Sequence, residues 1–145
     1  MTDHRQLGVD LFNHAWTLLE LPERSREQDD ELLHTAHASR HHWAQAGAGP
    51  EHLARGEWQI SRVYVVLGRA EPAFHHARRC LELCEEHGIG DWDLAYAHEA
   101  LARAHALARH ADEAAEHKRL AREAGDAIAD REDREHFDED YATLP

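Results

Sequence analysis

The sequence predicts an all-α protein, a stack of about three antiparallel helical hairpins followed by a polar C-terminal segment. Three observations carry this. Apolar residues recur at a spacing near 3.6 over most of the chain. Only 4 prolines and 8 glycines interrupt it, mostly between candidate helices. β-Branched residues cluster only at positions 60–66, so little of the chain favours strands.

The first helix is predicted over about residues 2–20, with Leu7, Leu11, Ala15 and Leu18 on one face and Pro22 ending it. Ser25 with Gln28 three residues on forms a capping box that opens a second helix, running to about Ala46. Gly47 to Pro50 is a loop, and a third helix covers about residues 51–67. Gly68 closes it, and Pro72 falls where the first turn of a fourth helix tolerates a missing N–H. That helix extends to about His87 and stops at Gly88-Ile89-Gly90. Asp91 is the expected N-cap of a fifth helix over about 92–108, and a tight turn at His110 leads into a sixth over about 111–129. Residues 130–141 are dense in charge, with Phe137 and Tyr141 as anchors, and read as a capping helix or a loosely attached tail. The whole is one domain, with hairpins at 1–46, 51–87 and 91–129 and an acidic segment at 130–145.

A chain of 145 residues that is 42% hydrophobic is long enough to bury one core. Its 29 acidic residues outweigh 16 basic ones, for a formal charge of −13. That field repels nucleic-acid backbones and anionic membrane surfaces, so neither is an expected partner. No apolar run reaches the roughly 18 residues of a membrane span, and residues 1–11 lack the layout of a signal peptide, so a cytoplasmic location is expected. Cys80 and Cys84 are the only cysteines, in keeping with a reducing compartment. Fully protonating the 15 histidines moves the formal charge from −13 to +2, which makes a pH-responsive interaction protein one minor reading.

Aligning on small residues reveals an internal repeat. Ile60-Ser61, Tyr64, Gly68, Ala73, Ala77 and Cys80 recur as Leu101-Ala102, His105, Arg109, Ala114, Lys118 and Ala121, offset by 41 throughout. This pattern resembles the tetratricopeptide-repeat family over about residues 51–125, and the stretch from Gly68 to Ala73 resembles that family's inter-helix turn. The offset exceeds the family's period of about 34, Trp58 lies one position from the family's tryptophan, and Lys118 fills a slot that favours a bulky apolar side chain. The resemblance implies a right-handed stack whose first helices line a concave face. It also implies a module that binds a protein segment, a peptide or a small polar ligand. With about three hairpins, near the minimum for such folds, a homodimer is possible.

Candidate site residues follow from polar side chains that share faces with apolar ones. On the second helix, His37 and Arg40 lie beside the stripe Leu32, Ala36, Ser39 and Trp43. On the third, Leu53, Glu57, Ile60, Tyr64 and Leu67 form the expected buried stripe, flanked by Trp58, Ser61, Arg62 and Val65. A glutamate on a packing face needs a partner, so Glu57 is expected to meet Arg40, Arg62 or a histidine. Such a cluster beside Trp43, Trp58 and Tyr64 suits a polar ligand or a peptide carboxylate; it also reads as a network that only locks helices together. On the fifth helix, His98 and His105 share a stripe with Leu94 and Leu101, with Tyr96, Glu99 and Arg103 alongside. The groove is therefore expected to present His37, Arg40, Glu57, Trp58, Arg62, Tyr64, His98 and Glu99.

A metal site is the alternative. Asp30, His34, His37 and His41 form a longitudinal stripe, and Glu31 stands three before His34, a spacing used in carboxylate-bridged metal bundles. No second Glu-x-x-His exists to complete such a centre, so the stripe also reads as a solvated face of carboxylate–histidine pairs. No cofactor is otherwise expected. Cys80 and Cys84, with His76 and His87, lie along about 16 Å of one helix and cannot surround a single ion; they read as small packing groups. The chain has no phosphate loop, no Gly-x-Ser-x-Gly, no His-Glu-x-x-His and no paired Cys-x-x-Cys, which leans away from the common enzyme classes.

Overall fold

Local chemistry sets the helix boundaries. The Gln28 backbone N–H donates to the Ser25 hydroxyl at 3.2 Å while the Ser25 N–H donates to the Gln28 side chain at 2.8 Å, completing the capping box. Gly47, Gly68 and Gly88 each take a left-handed conformation just past a helix end, where the lack of a Cβ removes the penalty. The structure, a computed structural model, describes residues 1–145 and holds seven helices and no strand. They are α1 (His4–Leu19), α2 (Arg26–Gln45), α3 (Pro50–Val66), α4 (Ala70–His87), α5 (Asp91–Leu107), α6 (Ala111–Asp126) and α7 (Arg131–Tyr141). None is long and apolar enough to cross a membrane.

The helices pair most extensively as α1 with α2, α3 with α4 and α5 with α6. Each pair is antiparallel. In the first, His4 meets His42 and His14 meets Glu31. In the second, Glu57 meets His76 and Ser61 meets Ala73. In the third, His98 meets His117 and His105 meets His110. Between pairs, α3 and α5 run parallel, with Arg55 against Asp93, Trp58 against Tyr96 and Arg62 against Glu99.

The offset of 41 seen in the sequence reappears in the backbone. α3 starts at Pro50 and α5 at Asp91, and α4 starts at Ala70 and α6 at Ala111. The turns match as well: Gly68 and Arg109 both have positive φ, and the N–H of Arg69 and of His110 each donate at 2.9 Å to the carbonyl five residues back.

The apolar interior lies between the pairs. Leu32 and Ala36 of α2 meet Ala15 and Leu18 of α1 and Ile60 and Val63 of α3. Ala54, Cys80, Leu83, Cys84 and Ala97 pack where α3, α4 and α5 converge, so both cysteines serve as small packing groups. Tyr96, Ala121, Ile128 and Phe137 join α5 and α6 to the C-terminal helix.

Several boundaries and faces differ from expectation. The acidic segment is a docked helix, α7, anchored by the fully buried Phe137. α6 ends at Asp126, because Ile128 then turns inward to bury its side chain. Asp91 is the first residue of α5, in a left-handed conformation; its carboxylate accepts from the N–H groups of Trp92 and Ala129, tying the start of α5 to the end of α6. On α3 the buried set is wider than one stripe and includes Ala54, Gly56, Gln59, Ser61 and Val63, since α2, α4 and α5 all pack against this helix. α5 is enclosed still more fully, and its alanines at 95, 97, 100, 102 and 104 allow that close approach.

Candidate functional site

The residues singled out by sequence occupy three places. The first is a polar cluster among α2, α3 and α4. The His76 ring Nδ1 lies 2.6 Å from Glu57 Oε2, and Arg40 Nε lies 3.3 Å from Glu57 Oε1, an ion pair out of line for a hydrogen bond. His37 Nε2 is 2.9 Å from the Tyr64 hydroxyl, and the Tyr64 and His76 rings stack at 5.8 Å. Glu57 thus finds two of the partner types its position demanded, an arginine and a histidine, with His76 the one the stripe pattern did not name. Burial works against the Glu57 carboxylate, but the hydrogen bond to His76 and the nearby Arg40 and Arg79 outweigh it and hold the carboxyl below its ordinary range. Burial, then the charge of His76, pushes the His37 pKa down. The close approach of α2 and α3 here depends on Gly56, since a Cβ there would sit 2.7 Å from Arg40 Cδ.

The second place is a cleft of about 590 Å³ lined by α1, α3, α5 and α7, with Cys80 of α4 also on its wall. Its walls are aromatic: Phe12 and Trp16 of α1, Trp58 of α3, and Trp92 and Tyr96 of α5. The Trp16 and Trp58 rings are 5.4 Å apart, and Tyr96 meets Trp58 edge-on at 5.2 Å. Arg55 lies with its guanidinium 4.4 Å from the centre of the Trp92 ring and is neutralised by a two-pronged bond to Asp93 at 2.9 and 3.0 Å. The rim adds Glu20, Asp133, His136 and Asp140. Counting Asp93, four carboxylates thus face one arginine, leaving an acidic excess in a cavity with aromatic faces.

At the edge of this cleft sits a buried ion network. Glu99 is fully buried; it accepts from Arg103 one turn on and lies 3.6 Å from Arg62. Burial pushes its carboxyl up, against the pull of Arg103 and Arg62. Arg103 also donates to the Asp140 carbonyl at 2.8 Å, and the Tyr96 hydroxyl donates to the Asp140 carboxylate at 2.5 Å. Burial and then this bond push the tyrosine pKa up.

The third place is the α5–α6 interface. His98 stands 3.2 Å from His117, and burial, followed by the His117 charge, pushes its pKa down to about 4. His105 stacks on His117 at 5.6 Å. His98 does not line the cleft, a departure from the expected groove: the α5 stripe that carries it and His105 faces α6.

The eight candidate residues therefore do not form one site. Trp58 parts from Glu57 because adjacent helical residues point about 100° apart, so one faces α4 and the other the cleft. The predicted helix-2 metal stripe does not converge either. Asp30, Glu31, His34 and His41 are exposed on the outside of α2, Glu31 pairs with His14, and His37 turns to Tyr64. Sequence reading missed Phe12, Trp16, Trp92 and the α7 carboxylates as cleft residues. The one signal that pointed there was the tryptophan count, since three of the 4 tryptophans gather in this cleft.

Compared with known proteins, the chain matches no family model, no curated protein and no solved structure. Its geometry defines its class, an all-α protein of paired helices with an aromatic cleft.

Proposed function

We propose that the chain is a binding module of the tetratricopeptide-repeat-like kind, and that its cleft takes a basic, partly apolar segment of a partner protein. The observation that carries this is the composition of the cleft: aromatic faces at Trp16, Trp58, Trp92 and Tyr96, with Glu20, Asp133 and Asp140 at its rim. A cationic side chain gains from both, through the ring quadrupole and through opposite charge. Arg55 over Trp92 is an instance of this pairing within the wall. The net charge of −13 steers a basic segment toward the same surface.

The repeat reading is supported by the offset of 41 in helix starts and turns, and by a cleft formed from the first helix of each pair. In this reading the hairpins stack as a right-handed solenoid, and α7 both caps the stack and closes one side of the cleft. The polar cluster around Glu57 locks one hairpin to the next rather than meeting the ligand.

The test uses a short peptide alternating arginine and leucine, and its glutamate counterpart, titrated against the full chain with tryptophan fluorescence as readout. The basic peptide should quench the fluorescence saturably, bind more weakly as salt rises, and lose at least tenfold in affinity with Trp58→Ala. Equal binding of the acidic peptide, or indifference to Trp58→Ala, sinks the proposal.

A further inference from the structure

Across the turn from α5 to α6, three side chains converge that neither the cleft nor the buried ion network uses. His105 comes from the end of α5, His110 is the N-cap of α6, and Glu113 stands in the first turn of α6. One donor atom from each lies within 4.8 Å of the others, and the two Nδ1 atoms are 3.2 Å apart. Two imidazole nitrogens each about 2.0–2.1 Å from a tetrahedral ion stand roughly 3.3 Å apart, so the histidine pair already has the separation a shared ion requires. Glu113 is exposed and at a helix start, free to swing its carboxylate the remaining distance.

The surroundings hold the pair in place. His105 is only 7% exposed. The Phe74 ring packs T-shaped against its ring with centres 4.8 Å apart, and the His117 ring lies parallel to it with centres 5.6 Å apart. The His110 N–H donates to the His105 carbonyl at 2.9 Å, which fixes the two residues' relative backbone positions. That bond needs the left-handed turn at Arg109, with φ 63°, a conformation uncommon for a residue with a side chain. In the equivalent turn 41 residues earlier the position belongs to Gly68, and Tyr64, Arg69 and Pro72 stand where His105, His110 and Glu113 stand. The donor set belongs to the second turn alone.

We infer that this turn is a binding site for a transition metal of the zinc class, with His105 and His110 each giving Nδ1 and Glu113 a carboxylate oxygen. Two histidines and a glutamate are a donor set suited to zinc, and the exposure of His110 and Glu113 leaves a fourth position open to water or to a partner's side chain. Both rings then carry their hydrogen on Nε2. None of the three residues lines the cleft, so the site is independent of the proposed peptide binding.

The test is calorimetric titration of the tag-free chain with Zn²⁺ alone, in parallel with histidine nitrogen NMR. The tightest step should be one ion per chain. His110→Ala and Glu113→Gln, both at exposed positions, should each weaken it at least tenfold, while His34→Ala and His41→Ala on α2 leave it unchanged. The Nδ1 signals of His105 and His110 in the unmutated chain should shift on adding one equivalent, a readout that does not depend on any variant folding. Absence of a tight step, its loss with His34→Ala, its survival with His110→Ala, or unmoved Nδ1 signals would overturn the inference.

Discussion

The Tyr96 hydroxyl donates to the Asp140 carboxylate across 2.5 Å and thereby ties the C-terminal helix to the wall of the aromatic cleft. Beside it, Phe137 packs edge-on to the Tyr96 ring at 5.1 Å, over Gly125, where a Cβ would come within about 2.3 Å of the phenylalanine. Tyr96→Phe should cost about 1–2 kcal/mol, as expected for a hydrogen bond to a charged group at a partly exposed site. Amide exchange should accelerate in α7 while α1–α4 keep their protection. A uniform loss of protection along the chain would show that α7 is not a separately anchored unit.

Glu99 is a buried charge held by Arg62 and Arg103, and removing it leaves Arg62 without its carboxylate while Arg103 keeps only its bonds near the C-terminus of α7. Glu99→Ala should therefore destabilise the fold by about 3 kcal/mol or more, and Glu99→Gln by less, because the amide still accepts from Arg103. Urea unfolding of the two variants measures both. A change below about 1 kcal/mol in Glu99→Ala would mean that the arginines simply swing to water.

Arg109 adopts the left-handed conformation that Gly68 takes in the preceding repeat. Arg109→Gly should stabilise the chain by about 1 kcal/mol, and Gly68→Ala should destabilise it by about as much. Thermal unfolding checks the pair, and a loss of stability in Arg109→Gly would point to contacts of the arginine side chain that outweigh its backbone strain.

Acid should weaken the fold below the ordinary histidine range. Burial lowers the pKa of His37, His52 and His98, so the unfolded chain binds protons that the folded chain refuses. The stability this represents is complete above the unfolded value of about 6.5 and is lost as pH falls through the folded values. Glu57, whose carboxyl is held below its ordinary range, adds to the loss in the more acid part of that window. His98 faces His117, Glu116 and Glu123 of α6, and its NMR titration should have a midpoint near 4, the value to which it is pushed. The urea midpoint should fall steadily from pH 7 to pH 5, and a flat profile would refute the burial argument.

The positions of the helices were legible in the chain itself. Ser25 with Gln28, the glycines at 47, 68 and 88, and the repeat offset of 41 are local features that act within a few residues of where they stand. The need of Glu57 for a cationic partner was legible too, because burying a carboxylate has a cost wherever it occurs. Which partner met it was not: Arg40 was foreseeable from its place beside the α2 stripe, whereas His76 depends on how α4 lies against α3.

The cleft lay beyond sequence reading because its residues come from distant parts of the chain, whereas the donor set is local and converges only through the left-handed turn at Arg109. Phe12, Trp58, Tyr96 and Asp140 are far apart in the chain, and they meet only because α1, α3, α5 and α7 take particular rotations about their axes. By itself, the sequence determined that the chain is helical, roughly where the first six helices lie, and which side chains need company, since φ/ψ preference, capping and apolar spacing are local. The tertiary structure alone decided which faces look at each other. That choice rests on close approaches at small residues such as Gly8 under Trp43, Gly56 under Arg40 and Ala97 beside the cysteines.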